Sequence, residues 1–215
     1  MCFSAEASFI SSVALAVGGA VTLSQNRDRR SLPLAAIPLV FSFHQLIEGG
    51  LWLAHTHAGP AWLIALLSHA FPFIAYVFWP TFAPYAFGRI EQRTRRKKLL
   101  AGCLWSGVAV SSFYLYYLAS GPVTAQFINE SSIHYEFYFP FFATSQWLYG
   151  FAIILAAFFS SHRIVNVFGV GLVVSYNIAK QAYTPTYPSV FCFFAAILSL
   201  IIYLQIRYGK LQATP

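Results

Sequence analysis

His44 and Glu48 are two ionisable residues that lie four positions apart in an apolar stretch of the chain. At that spacing a helix presents both side chains on one face, about 6 Å apart. A second carboxylate, Glu6, and a second histidine, His69, belong to neighbouring apolar stretches. Imidazole and carboxylate ligands with an open position form the catalytic zinc and iron sites of proteins. The pattern therefore predicts a divalent metal, zinc or iron, held by these four residues for chemistry on a small or lipidic substrate.

Further polar residues are expected around the same point. A rise of about 1.5 Å per residue places His44 near the middle of the membrane and the following residues in its outer half: Glu6, Glu48, His69, Lys180 and Gln181. Lys180 is available to pair with Glu6 or Glu48. They predict a polar pocket that opens to the outside and is lined mainly by the first, second, third and sixth apolar stretches. The candidate ligand-binding residues are Cys2, Gln45, Trp52, Gln146, Asn177, Lys180 and Gln181.

Three other roles suit the same side chains. In one hypothesis, His44, Glu48 and Lys180 form a hydrogen-bonded plug that only fixes helix packing. In a second, Glu and His side chains exchange protons along a pathway, and the chain is a non-enzymatic binding or transport protein. The cytoplasmic half of the spans, however, has no corresponding row of polar residues. In a third, Lys180 holds retinal as a Schiff base. Retinal is disfavoured because this lysine lies in the sixth apolar stretch, whereas the rhodopsin lysine lies in the seventh.

The apolar composition indicates which elements position these residues. The chain has 215 residues, of which 58% are hydrophobic and 9% charged, whereas soluble domains are roughly 25% charged. Soluble enzymes, disordered chains and fibres are therefore excluded. A helix needs about 20 apolar residues to cross a bilayer, which predicts an all-α, seven-transmembrane-helix bundle forming one domain, 1–215. The seven spans are about 5–24, 32–54, 61–87, 99–119, 139–159, 163–183 and 187–207.

The net charge of +7 indicates the orientation of the chain in the membrane. Every basic residue except Lys180 lies on one side of the predicted spans. Because basic residues favour the cytoplasmic side, the N-terminus is expected outside and the C-terminus in the cytoplasm. Short basic clusters between apolar stretches do not form the continuous basic face that nucleic acid requires. Membrane lipids are the expected partners, nucleic acid is not, and no oligomeric state is predicted.

Three local features carry structural expectations. Pro72 cannot donate a hydrogen bond to the carbonyl of Ser68, which predicts a kink beside His69. The connection 120–138 ends in alternating aromatic and polar residues, a pattern typical of an interfacial segment or a lid over the outer mouth. Small residues, Gly107 among them, indicate close helix packing.

The opening Met-Cys-Phe-Ser-Ala-Glu-Ala-Ser-Phe and the segment 43–49, Phe-His-Gln-Leu-Ile-Glu-Gly, together with Trp52, resemble an uncharacterised family of bacterial integral membrane proteins whose members begin in this way. The likeness extends over most of the chain. It implies a bacterial inner, or plasma, membrane location and directs attention to Cys2, His44 and Glu48, but it implies no activity.

By topology the chain is also similar to the seven-helix metal-dependent hydrolases that include ceramidases and adiponectin-type receptors. Those proteins carry a His-x-x-x-His pair near the last span and an Asp in an early span. Here the last three spans contain no histidine, and the only Asp is Asp28, in a connection. The similarity therefore concerns the fold and carries no catalytic residue over.

Overall fold

Seven helices make up most of the described part of the chain in a computed structural model, which covers residues 4–128, 132–183 and 186–208. In chain order they are α1 (Ala5–Gln25), α2 (Leu32–Thr56), α3 (Ala61–Ile90), α4 (Thr94–Ser120), α5 (Phe142–Phe159), α6 (Arg163–Ala182) and α7 (Tyr187–Tyr208). A single turn residue, Leu200, divides α7 into Tyr187–Ser199 and Ile201–Tyr208. An antiparallel pair of strands, β1 (Thr124–Ile128) and β2 (Ser132–Glu136), joins α4 to α5.

Six of the described helices, all except α6, are long and apolar enough to cross a membrane. α6 has 20 residues, but polar side chains such as Asn166 and Asn177 interrupt its apolar sequence. Large apolar side chains are exposed on the bundle surface, for example Ile10 at 70% and Trp105 at 72%. Extended exposed apolar surface is expected where a protein contacts lipid. The helices are thus consistent with an integral membrane protein.

α2 is the central helix of the bundle, and α1 packs antiparallel along it. Ser12 of α1 and Ser42 of α2 each donate a hydroxyl to the other's backbone carbonyl, at 2.9 and 2.7 Å. Next to Ser42 in α2, Phe41 stacks on Trp79 of α3 with ring centroids 4.1 Å apart. These contacts leave α2 buried along most of its length, so its polar residues lie inside the bundle.

The two ends of the bundle differ in charge. We call one the basic end; it consists of the connections 26–31, 91–93 and 160–162, with the cluster of basic residues that begins α4. The other, the hairpin end, consists of the connection 57–60 and the β1–β2 hairpin. This separation matches the distribution from which the orientation is predicted.

The hairpin lies against the helix ends and corresponds to the predicted interfacial segment. Ile133 is fully buried and Tyr135 is 7% exposed. The ring of Tyr135 stacks on Phe71 of α3 at 4.3 Å, and Phe127 stacks on His55 of α2 at 3.7 Å. Tyr135 is therefore buried on α3 and Phe127 packs on α2, whereas Phe137 and Phe139 are half-buried beside Tyr76 and Tyr114.

Both α3 and α5 contain a π-helical segment, Phe73–Phe78 in α3 and Phe151–Leu155 in α5. The first follows Pro72 directly, and a proline cannot donate to the helical hydrogen-bond ladder. The disturbance expected at Pro72 is thus a change from α to π geometry. Segments of this kind are rare and occur frequently at functional sites.

Candidate functional site

His44 and Glu48 are fully buried where α2 meets α3 and α7. The His44 Nε2 donates to the carbonyl oxygen of Phe71 at 3.2 Å, and the two rings lie 4.0 Å apart. Ser189 of α7 donates its hydroxyl to the Glu48 Oε1 at 2.5 Å. The two residues therefore tie the central helix to two of its neighbours.

Glu6 and His69 have different surroundings. Glu6 is exposed in the first turn of α1. His69 is half-buried, and its Nδ1 lies 2.8 Å from the carbonyl oxygen of Ala65 in its own helix. Among the residues that the structure describes, no three His, Cys, Asp or Glu side chains could hold a metal ion together. The four-ligand metal site stays a prediction from the sequence, and elemental analysis of detergent-purified protein for zinc and iron tests it.

Two of the predicted ligand-binding residues, Gln45 and Trp52, belong to the buried core. They are 0% and 6% exposed. Both polar atoms of the Gln45 side chain, the Nε1 of Trp52 and the Nδ1 of His44 have no hydrogen-bond partner within the described ranges. Most buried polar atoms in proteins are hydrogen-bonded. The hairpin half of α2 therefore carries more polar atoms than its described neighbours satisfy.

Asn177 and Gln181 lie on the exposed surface of α6. Asn177 donates its side-chain amide to the carbonyl of Val173, one turn earlier in the same helix, at 2.8 Å. The structure thus places both residues outside the pocket predicted for them. Cys2 lies outside the described residues.

The remaining two, Gln146 and Lys180, line a cavity of about 400 Å³ between α3, α5, α6 and α7. Each of these helices contributes one tyrosine to its wall, so we call it the tyrosine cavity. Like the predicted pocket, it is lined by α3 and α6. Its other two walls are α5 and α7, whereas the predicted pocket is lined by the first and second spans. The four tyrosines are Tyr76, Tyr149, Tyr176 and Tyr187.

The two π segments form adjacent walls of the tyrosine cavity. Ala75 and Tyr76 belong to the first segment, and Ile153 belongs to the second. The hydroxyl of Tyr149 in α5 donates to the Ala75 carbonyl at 2.8 Å, and the hydroxyl of Ser111 in α4 donates to the Val77 carbonyl of the same segment at 2.6 Å. Side chains from other helices thus stabilise a π-helical geometry that the backbone hydrogen bonds of the helix alone do not favour.

Lys180 is the only charged residue among the described residues that line the tyrosine cavity. Its Nζ lies 3.3 Å from the Tyr176 hydroxyl and 5.5 Å from the ring centroid of the same tyrosine. Lys180 is exposed, as is Trp147, a lining residue from α5, at 80%. The predicted counter-ions are Glu6 and Glu48, whereas the contact described for Lys180 is with Tyr176. A cation therefore stands at the mouth of the cavity, on the surface of the bundle.

A narrow apolar slot adjoins the tyrosine cavity on the side of the core. The slot and the cavity share Tyr149, Ile153, Phe191 and Cys192. The slot measures about 30 Å³, which leaves room for only a small apolar group, such as the end of a slim chain. Its deeper lining is aromatic and aliphatic and comprises Phe41, Trp79, Phe87, Phe168 and Leu172.

A second polar site lies at the basic end, around Glu91, which is 1% exposed. Its carboxylate accepts hydrogen bonds from the backbone N–H groups of Gln92, Arg93 and Ser161, at 3.0, 2.9 and 2.6 Å, and from the Ser161 hydroxyl at 2.9 Å. Burial alone would raise the pKa of Glu91, but these hydrogen bonds favour the charged form and hold its pKa below its usual range. The sequence analysis does not identify Glu91, because in the sequence it is only a single acidic residue beside a basic cluster.

Acid is expected to destabilise the protein through Glu91. Because the pKa of Glu91 is lower in the folded chain, its contribution is complete above the unfolded value of 4.5 and is lost as the pH falls through the folded value. Glu91→Gln places an amide NH₂ against donors and should cost about 1–3 kcal/mol at neutral pH. Thermal unfolding between pH 7 and pH 3 checks both points. A Glu91→Gln variant that keeps the wild-type acid dependence would contradict them.

Comparison with known proteins adds a family but no activity. Neither the curated proteins nor the solved structures yield a match to the chain. A family model described as a family of unknown function, DUF6629, matches residues 1–214, and the chain therefore belongs to that family.

Proposed function

We propose that the chain is a seven-span protein of the bacterial inner membrane that binds an anionic amphipathic molecule, such as a long-chain carboxylate, in the tyrosine cavity. In this proposal α6 is the seventh span and the N-terminus lies outside. The observation that carries the proposal is Lys180, which is the one cation among the described residues that line the cavity and lies beside a mostly apolar lining.

The distribution of charge supports the orientation. The connections of the basic end hold the arginines and lysines, whereas the connection 57–60 and the hairpin hold none in their described residues. Loops that are rich in lysine and arginine stay on the cytoplasmic side of the membrane. The hairpin end, with the mouth of the tyrosine cavity near it, then belongs to the outer half of the membrane.

Cysteine labelling tests this orientation on one helix. Ser120 and Thr94 are exposed residues at opposite ends of α4, so each is the matched control for the other. In a Cys2→Ser background, an impermeant maleimide added to intact cells should label Ser120→Cys and fail to label Thr94→Cys. Permeabilised cells should give labelling at both positions. The reverse pattern in intact cells would overturn the orientation.

The residues that line the tyrosine cavity support an amphipathic ligand with an acidic head group. At the mouth, the Lys180 ammonium and the Tyr176 hydroxyl are both able to donate to a carboxylate. Towards the core, the shared residues Ile153 and Phe191 lead to the apolar slot, which accepts only a slim chain. Ligand sites typically combine a mostly apolar lining with a few placed polar groups. A molecule with one anionic end and one apolar chain matches this order of groups.

His44 and Glu48 do not line the cavity, but each forms a hydrogen bond with a residue adjacent to its wall. His44 bonds the carbonyl of Phe71, next to the first π segment, and Glu48 bonds Ser189, which lies between wall residues Pro188 and Phe191. Both are positioning residues in this proposal, since neither lines the cavity.

Quenching of tryptophan fluorescence by brominated ligands tests the proposal, because Trp147 lies at the mouth and Trp79 in the slot. Dibromostearate and dibromostearyl alcohol share a chain and differ in head charge. Titrated into the protein in nanodiscs at pH 8, the carboxylate should bind about 10-fold more tightly than the alcohol, an increment of about 1.4 kcal/mol. Lys180→Gln should remove this difference.

Lys97→Gln is the matched control, since it removes the same charge from an exposed position at the basic end. It should leave the affinities for both probes unchanged. Equal affinities for carboxylate and alcohol in the wild-type protein, or equal effects of the two lysine substitutions, would overturn the assignment of Lys180 as the head-group contact.

A further inference from the structure

A second cavity, of about 290 Å³, lies at the basic end and is separate from the tyrosine cavity. It is bordered by the connection between α1 and α2, by the start of the connection after α3, and by residues of α7. We call it the basic-end cavity. The residues that define its chemistry are Arg27, Asp28, Arg30, His162 and Gln205.

Gln205 supplies a buried acceptor in this cavity. The side chain is 8% exposed, and its Nε2 lies 3.1 Å from the Nδ1 of His162. The other ring nitrogen of His162, Nε2, lies 3.1 Å from the carbonyl oxygen of Ile90, which can only accept. In the neutral imidazole this places the proton on Nε2, so Nδ1 accepts from the Gln205 amide and sets its orientation. The Oε1 of Gln205 has no hydrogen-bond partner in the part of the chain that the structure describes.

The arginines supply donors. Arg27 and Arg30 are exposed at the edge of the cavity, and neither guanidinium makes a hydrogen bond or an ion pair within the described residues. Asp28 lies between them in sequence, and its Oδ1 accepts from the backbone N–H of Arg30 at 3.0 Å. One cavity thus combines two guanidinium groups with a carboxylate and a buried amide oxygen.

We propose that the basic-end cavity binds a phosphate ester that carries a primary ammonium group, the headgroup chemistry of phosphatidylethanolamine. The phosphate contacts Arg27 and Arg30, since guanidinium groups match phosphate oxygens geometrically. The ammonium donates to the Oε1 of Gln205, and the Asp28 carboxylate balances its charge. Basic pockets between transmembrane helices on the cytoplasmic side are known to take lipid headgroups. Free phosphoethanolamine is the soluble source of the same chemistry.

Native mass spectrometry of the full chain, purified in detergent and titrated with lipid, tests the proposal. Dioleoylphosphatidylethanolamine and dioleoylphosphatidylcholine have the same net charge, but the choline nitrogen has no hydrogen to donate. We expect the ethanolamine lipid to bind about 10-fold more tightly, as one hydrogen bond from a charged donor allows. Gln205→Met should remove this preference while the affinity for the choline lipid stays the same.

Arg27→Gln combined with Arg30→Gln should weaken the binding of both lipids at least 10-fold. Arg29→Gln is the matched control, because Arg29 lies between them in sequence but does not line the cavity, and it should have no effect. Equal binding of the two lipids to the wild-type protein, or an Arg29→Gln effect as large as that of the double variant, would overturn the proposal. Displacement of the bound lipid by equimolar phosphoethanolamine would support the site and assign it to the soluble source.

Discussion

Gly107→Ala is expected to destabilise the helix bundle by about 3 kcal/mol or more. A Cβ at Gly107 would lie 1.9 Å from the carbonyl oxygen of Pro80 and 2.7 Å from its carbonyl carbon. Because these are backbone atoms of α3, no side-chain rotation relieves the clash, and α3 and α4 must move apart. Pro80 follows the first π segment, so the movement also displaces the wall of the tyrosine cavity.

Gly102→Ala is the matched control on the same helix. A Cβ at Gly102 meets nothing within 4 Å, and alanine is favoured over glycine in a helix interior by about 1 kcal/mol. Thermal unfolding in detergent should therefore show a lower transition temperature for Gly107→Ala and an unchanged or higher one for Gly102→Ala. Equal transition temperatures for the two variants would show that α3 and α4 do not approach at Gly107.

These two glycines illustrate what the sequence does and does not determine. Their residue type and helix are the same, and hydropathy predicts α4 for both of them. The difference arises from the rotation of α4 about its axis, which decides that Gly107 and not Gly102 contacts α3. Hydropathy gives the position of a helix along the chain, and it contains little information about rotation when most faces are apolar.

The same limit explains the outcome for α6. Asn177, Lys180 and Gln181 lie within two turns and all suit a polar pocket, yet only Lys180 lines the tyrosine cavity. These three residues share one face of α6, at i, i+3 and i+4, but the pattern does not decide whether that face turns towards a pocket or towards the bundle surface, where all three are exposed. The cavity itself was not predicted, because Tyr76, Tyr149 and Tyr187 come from three separate helices and resemble ordinary interfacial aromatics in the sequence.

Glu48→Ala is expected to cost about 3 kcal/mol of stability. The substitution removes buried atoms, which leaves a cavity, and it removes the acceptor of the Ser189 hydroxyl between α2 and α7. Glu48→Gln keeps the volume and an oxygen that accepts from Ser189, so its cost should be about 1 kcal/mol. In thermal unfolding in detergent, the transition temperature should be highest for the wild type, lower for Glu48→Gln and lowest for Glu48→Ala.

Glu6→Ala is the control for this series, because it removes the other predicted carboxylate ligand from an exposed position. Because Glu6 lies in the first turn of α1, its loss should cost no more than about 1 kcal/mol, the usual contribution of an exposed acid at a helix N-terminus. If Glu6→Ala and Glu48→Ala were equally destabilising, and if both losses disappeared after treatment with a chelator, Glu6 and Glu48 would share a metal as the sequence predicts. If neither Glu48 substitution changed the unfolding temperature, Glu48 and Ser189 would not meet in the interior. The expected result, a large effect at Glu48 and a small one at Glu6, supports Glu48 as a buried link between the central helix and α7, which carries one wall of the tyrosine cavity.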